Sequence, residues 1–243
     1  MAAALAPTEQ IPGRKLVAPL WHTFVFLTFL AGYSLIEIGR VARLESRNSS
    51  SRLPQYLLMI CFELTLVGYV CFLGLRPTGT TISDLIGGKW GRWTDALKDV
   101  GVAFLFWLVV ISVLVGERLV LGRDSLSLRA TMVLAPHGAV EIIAWCFVAV
   151  AAGVCEEIVF RGYLQRQFLA LTGRPWIAVI LQALVFGLGH SYKGLHGVFT
   201  IALYGALFGI LATRRKSLRP GMMQHTAQDF VAGLSASFLS KGA

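Results

Sequence analysis

The stretch Cys155-Glu156-Glu157-Ile158-Val159-Phe160-Arg161 lies near the end of a long apolar segment that begins at about Ala139. Two adjacent carboxylates and an arginine therefore sit where the surrounding residues read as membrane helix. An ionisable side chain at the centre of a bilayer costs roughly 2.5–3.5 kcal/mol on insertion scales, so such groups mark pairing or function. On a helix Glu157 and Arg161 are four apart, share a face and can pair. Glu156 is rotated by about 100° and cannot share that partner equally. One carboxylate is expected to be held by the arginine and the other left for different work, although a structural ion pair at a helix end accounts for the same residues.

The composition extends this reading to the whole chain. Of its 243 residues 56% are hydrophobic and 14% charged, and the mean hydropathy is +0.67. Several segments approach the ~20 apolar residues needed to cross a bilayer. The expected fold is an all-α, polytopic transmembrane helical bundle with about seven membrane helices and extra interfacial helices. The formal charge of +9 would suggest nucleic acid in a soluble domain. Here the basic residues fall between apolar segments, where they act as topology signals and contacts for anionic lipid. No basic run is interleaved with exposed aromatics, so nucleic acid is discounted. Cys61, Cys71, Cys146 and Cys155 lie inside apolar segments without metal-ligand spacing and are expected as small buried hydrophobes with no disulfide framework.

Residues 1–18 are mixed, with Pro7, Pro12 and the basic pair Arg14-Lys15. They show no short apolar core ending in a small-residue cleavage site, so no removed signal peptide is expected. Helices are expected at about 20–40, 54–75, 97–121, 139–171, 176–190, 197–213 and 222–239. A polar linker through Asn48-Ser49-Ser50-Ser51 separates the first two, and a mixed linker through Arg123, Arg129 and Pro136 precedes the fourth. The segment from Thr78 to Asp99, with Trp90 and Trp93 among charges, reads as interfacial. Gly173-Arg174-Pro175 is a stop-and-turn signal. Arg14-Lys15, Lys89-Arg92-Lys98, Arg166-Arg174 and Arg214-Arg215-Lys216 collect most charge when placed on one side, which the positive-inside rule makes cytoplasmic.

Polar groups capable of chemistry concentrate after residue 150. Phe186 and His190 are four apart on one helix, and His225 and Asp229 are four apart on another. At ~1.5 Å per residue, Glu156 and His190 lie about 27 and 24 Å from the turn at Gly173-Arg174, hence at similar heights on adjacent antiparallel helices. His225 is some nine residues beyond the Arg215 cluster, so all three can meet in one cavity open toward the basic side. A carboxylate beside a neutral imidazole can hold and deprotonate a water, directly or through a metal. A second histidine with a hydrogen-bonding neighbour can stabilise the oxyanion of a tetrahedral intermediate. Together these would hydrolyse an amide inside a membrane. The chain has no His-Glu-x-x-His, no Gly-x-Gly-Asp, and no rhomboid-type serine motif, since Gly233-Leu234-Ser235-Ala236 lacks the closing glycine.

The pattern resembles the CPBP intramembrane metalloprotease family, also called the CAAX prenyl protease and bacteriocin-processing (Abi) family. Its Glu-Glu-x-x-x-Arg motif matches Glu156-Glu157-Ile158-Val159-Phe160-Arg161. Its Phe-x-x-x-His motif matches Phe186 to His190, and its His-x-x-x-Asn or Asp motif matches His225 to Asp229. The resemblance covers about residues 139–239. It implies N-terminal helices and interfacial segments over 1–138 and a catalytic helical core over 139–243, in one integral membrane domain. It further implies an intramembrane endopeptidase in which Glu156 and His190 activate a water. His225 and residue 229 would form the oxyanion site, and Glu157 and Arg161 would position Glu156. The implied substrate is a membrane-associated, prenylated or leader-bearing protein or peptide. The implied location is a bacterial inner membrane, with the cavity facing the cytoplasm. An ionised Asp229 cannot donate to an oxyanion as Asn would, so it must be protonated or orient His225 or a metal. Glu156, His190 and His225 can equally serve as zinc ligands.

Two other functions use the same residues. A small transporter or proton-relay protein would need a buried Glu/His/Arg path reaching both sides, and a non-catalytic scaffold would keep the fold alone. Elsewhere, His22 and His137 are expected to be solvated at interfaces and His196 to sit in a loop. Glu37 and Glu63 are expected to pair with neighbouring arginines.

Overall fold

Long apolar runs leave the backbone no partner but itself inside a bilayer, and helix is the form that satisfies it. The computed structural model describes residues 15–46, 51–122 and 125–241, which contain helices and no strand. Arg14, the linker residues Asn48, Ser49 and Ser50, and Arg123 lie outside the described residues. The helices are α1 (Leu20–Ser46), α2 (Leu53–Thr78), α3 (Ile82–Ile86), α4 (Trp93–Leu121), α5 (Ser125–Val133), α6 (Gly138–Thr172), α7 (Pro175–Leu188), α8 (Gly194–Arg215) and α9 (Arg219–Lys241).

The chain is a multi-pass integral membrane protein. Among the described helices α1, α2, α4, α6 and the segment Ser191–Arg215 that ends in α8 are long and apolar enough to cross a membrane. Two of the seven expected spans differ. Helix α7 has 14 residues, about 21 Å at 1.5 Å per residue, short of a ~30 Å hydrocarbon core. Helix α9 has 23 residues, but Gln224, His225, Gln228 and Asp229 make it too polar to count by composition. It packs against α6 and α4, so part of this polar surface meets protein. Helix α5, expected as a linker, was masked by its alternating serines and by Arg129. It packs on α1, α8, α9 and the turn Ser191–Lys193.

The basic segments do gather at one end. Gln167 accepts from the N–H groups of Val17 and Ala18 and donates to the Ala18 carbonyl. Arg166 donates to the carbonyls of Asp84 and Leu85, and the Leu218 N–H donates to that of Ile86. Arg215 pairs with Asp99 at 3.3 Å, and Arg219 lies 5.0 Å over the Trp90 ring. The interfacial helix α3 opens with a capping box between Thr81 and Asp84, and the Thr81 hydroxyl and backbone N–H hold the Asp84 carboxyl below its usual range.

Four expectations for single residues need correction. His22 is fully buried, not solvated; it hydrogen-bonds Tyr163 at 2.9 Å and stacks on Tyr69 at 4.3 Å. The ring fits because Gly74 faces it, and a Cβ there would lie 2.7 Å from His22 Cε1. His196 sits in the first turn of α8, where its Nε2 meets buried Glu117 at 2.5 Å, and Thr200 donates to the same oxygen. Among the described residues Glu63 has no arginine partner, whereas Glu37 pairs with Arg40 as expected. His137 is exposed, and Cys61 is exposed too, on the outer surface of a span.

Helices without a hydrophobic drive between them approach through small residues. Gly153 on α6 lies against Thr226 on α9, and a Cβ would meet the Thr226 nitrogen at 2.6 Å and its Cα at 2.9 Å. This contact brings His225 beside residues 156 and 157, one turn along α6. Gly153→Ala is expected to force α9 away and lower stability by about 1–3 kcal/mol, the usual cost of overpacking. Thermal unfolding in detergent checks this, with Gly32→Ala, whose Cβ meets nothing within 4 Å, as the control that leaves the transition unchanged or raised.

Candidate active site

Around Glu157 the backbone of α6 widens into a π-helical stretch, Glu157–Leu164, and all eight of its residues are buried. Such widenings recur at functional sites because they turn side chains away from their regular positions. Glu157 and Arg161 nonetheless pair across it, with Nη1 to Oε1 at 3.0 Å and both side chains inaccessible. The contact is an ion pair without hydrogen-bond alignment, and the Arg161 Nε is also unpartnered. Nη2 donates to the Gly205 carbonyl at 3.4 Å. The guanidinium lies 4.4 Å over the Phe186 ring and 5.1 Å over Phe208, attractive positions for a desolvated cation.

His225 is held between the two glutamates. Its Nδ1 is 3.2 Å from Glu157 Oε1, and its Nε2 is 3.5 Å from Glu156 Oε2. An ionised Glu157 can only accept, so Nδ1 carries the hydrogen and Nε2 faces Glu156. Asp229 Oδ2 lies 3.8 Å from Nε2, beyond hydrogen-bond reach, and its side chain is 31% exposed. The partner that orients His225 is therefore Glu157, not Asp229. The Asp229 main chain is fixed instead, since its carbonyl accepts from Trp145 Nε1 at 2.9 Å.

His190 follows the end of α7. Its Nδ1 donates to the Phe186 carbonyl at 3.0 Å, so the neutral ring has its lone pair on Nε2. Phe186 is the shared wall, edge-on to His190 at 5.0 Å and to His225 at 6.2 Å. His190 and Glu156 border one cavity of about 100 Å³ with Leu30, Tyr33, Glu37, Phe62, Glu63 and Tyr192 among its walls. That is room for about three waters at ~30 Å³ each. Glu63, Tyr33 and Tyr192 had no signal in the sequence beyond their being polar residues in or beside apolar segments.

The six expected residues thus form two neighbouring groups. Glu156, Glu157, Arg161, His225 and Asp229 surround one imidazole, and His190 joins Glu156 across the cavity. Among the described residues no group of three His, Cys, Asp or Glu is placed to hold a metal ion, so Glu156, His190 and His225 do not fit one as they stand. Glu37, Leu134, Gly189 and Tyr192 also border the cavity that Glu156 and His190 share. A second cavity of about 350 Å³ opens at the cationic end, lined by Arg161, Gln165, Arg166 and Lys216.

Residues 138–231 match the family model described as Type II CAAX prenyl endopeptidase Rce1-like. All three motifs, from Glu156 to Asp229, fall inside the matched segment, and the resemblance to the CPBP/CAAX protease family holds there. No curated protein and no solved structure matches the chain.

Removing one partner of a buried pair leaves an uncompensated charge, typically at a cost of 3–5 kcal/mol. Arg161→Ala is expected to lose about that much, seen as a lower folded yield and unfolding temperature in detergent, with Arg161→Lys intermediate. A normal transition in Arg161→Ala would count against the pair as the support of the site.

Proposed function

We propose that the chain is a CAAX-type intramembrane endopeptidase that hydrolyses a peptide bond of a membrane-associated polypeptide. The observation that carries this is the joint placement of Glu156 and His190, both from the family-matched segment, on one cavity of a few waters' size. A water there donates one hydrogen to His190 Nε2 and the other to Glu156. Glu156 takes its proton as the oxygen attacks the carbonyl, a role for general base catalysis worth about 10²–10⁴-fold. His225, its ring fixed through Nδ1 by Glu157, turns Nε2 toward the reacting centre, and when doubly protonated it would donate to the oxyanion. The apolar cavity walls suit a substrate segment presented from the bilayer or carrying a lipid. By the positive-inside rule the cationic end lies in the cytoplasm.

One observation favours a second reading. Glu156 borders one cavity and Arg161 the other, so a proton relay would need only to join the two. Proton flux into proteoliposomes, followed with a pH-sensitive dye, separates this from proteolysis.

The deciding measurement is cleavage of lipidated and plain membrane-peptide libraries by purified protein in liposomes. Wild type should cleave, and Glu156→Gln should lose at least about 100-fold with unchanged unfolding. Glu157→Gln is expected to lose about 10–100-fold, as when an orienting partner is removed, whereas Asp229→Asn stays within a few-fold of wild type. Equal activity in Glu156→Gln would sink the proposal, and a large loss in Asp229→Asn would restore the orienting role to that residue.

A further inference from the structure

The wall of the cavity that Glu156 borders contains a carboxyl that the motifs do not include. Glu63 lies mid-way along α2, which packs directly on α6, and its side chain borders the same cavity of about 100 Å³ as Glu156 and His190. Its Oε2 is buried with no hydrogen-bond partner. A buried carboxyl oxygen left unsatisfied is costly and calls for an explanation by water, proton or ligand. The titratable groups facing the cavity are Tyr33 and Glu37 from α1, Glu63 from α2, Glu156 from α6, and His190 and Tyr192 after α7. The nearby cations are already engaged, since Arg40 pairs with Glu37, Arg161 with Glu157, and Lys193 donates to Thr131. Two ionised carboxylates sharing about three waters' space without a cation repel each other strongly, and such pairs hold a proton between them.

We propose that Glu63 is a second catalytic carboxyl, the acid that protonates the departing amine. This rests on the endopeptidase reading and adds its missing proton donor. The water oxygen bonds to the carbonyl carbon as its proton passes to Glu156. The carbon–nitrogen bond then breaks, and the Glu63 proton goes to the amine nitrogen. Transfer of the proton from Glu156 to Glu63 through the cavity water restores both groups, so each turnover consumes one water and no other reactant. A base and a separate acid bordering one cavity need not exchange roles within the reaction.

An activated ester tests this, because a p-nitrophenolate leaves without a proton whereas an amine cannot. Wild type, Glu63→Gln, Glu63→Asp and Glu156→Gln are compared on a peptide and on the p-nitrophenyl ester of the same acyl segment. For Glu63→Gln the peptide kcat should fall about 100-fold or more and the ester kcat by less than about threefold, with Glu63→Asp between Gln and wild type on the peptide. Glu156→Gln should lose both, since both need the base. Equal losses on the two substrates, or none, in Glu63→Gln would overturn the acid role while leaving the endopeptidase reading intact. If Glu63→Gln fails to fold, Glu63→Asp decides by the same ratio. A wild type that cleaves neither substrate overturns the endopeptidase reading and this one together.

Discussion

The structure depends on a guanidinium held inside the bundle. A charged group cannot lie in a bilayer without compensation, and the ways of compensating Arg161 dictate which helices meet. Its charge is met by Glu157 from its own helix and one donor, Nη2, by the Gly205 carbonyl of α8. Its faces lie over Phe186 of α7 and Phe208 of α8. Each partner lies on a different turn or helix, so the cation acts as a common point for α6, α7 and α8. Helix α9 joins through Glu157, whose Oε1 serves both Arg161 and His225. Gly205 and Gly221 keep the necessary approach open. A Cβ at Gly205 would lie 2.9 Å from Phe186, and one at Gly221 would lie 3.0 Å from Glu157 Oε2.

The same arrangement divides two neighbouring carboxylates by task. Glu157 is saturated, its charge shared between a cation and an imidazole N–H, and has little left to offer a substrate. Glu156, one residue earlier, makes only the 3.5 Å approach to His225 and otherwise borders the cavity. Adjacent residues point apart on a helix, and the π-helical stretch that begins at Glu157 lets both still touch the same ring from its two nitrogens. A motif of two consecutive glutamates is thus one structural and one chemical group, and their order follows from which of them is four residues from the arginine.

What was legible in the sequence was what helical period encodes. The Glu157–Arg161 pair and the spans α1, α2, α4 and α6 follow from spacing and apolar runs within single helices, and the Phe186–His190 contact keeps the same spacing although His190 lies just past the end of α7. What was not legible is tertiary. His22 reads as an interfacial residue until Gly74 and Tyr163, far along the chain, enclose it. His196 reads as a loop residue because its partner, Glu117, is 79 positions away. Asp229 is four residues after His225 and so is placed by period to hold the imidazole, yet Glu157 reaches Nδ1 first from another helix. The similar heights expected of Glu156 and His190 agree with their bordering one cavity, although α7 ends at Leu188, two residues before His190.

The family-matched segment and the cavity do not coincide. Residues 138–231 supply Glu156, His190 and His225, but Leu30, Tyr33, Glu37, Met59, Phe62, Glu63 and Leu66 of the cavity wall come from α1 and α2. In the proposed reaction a base and its histidines would act through short, directional contacts, which constrain their positions on α6 to α9. A cavity wall recognises a substrate by shape and apolar area, which many side chains supply equally well. The first two helices can therefore read as generic membrane spans while still setting which segment enters the site. In this chain Tyr33 and Glu37 of α1 and Glu63 of α2 depart from that generic character; Glu37 has Arg40, whereas among the described residues Glu63 is a carboxyl with no cation paired to it.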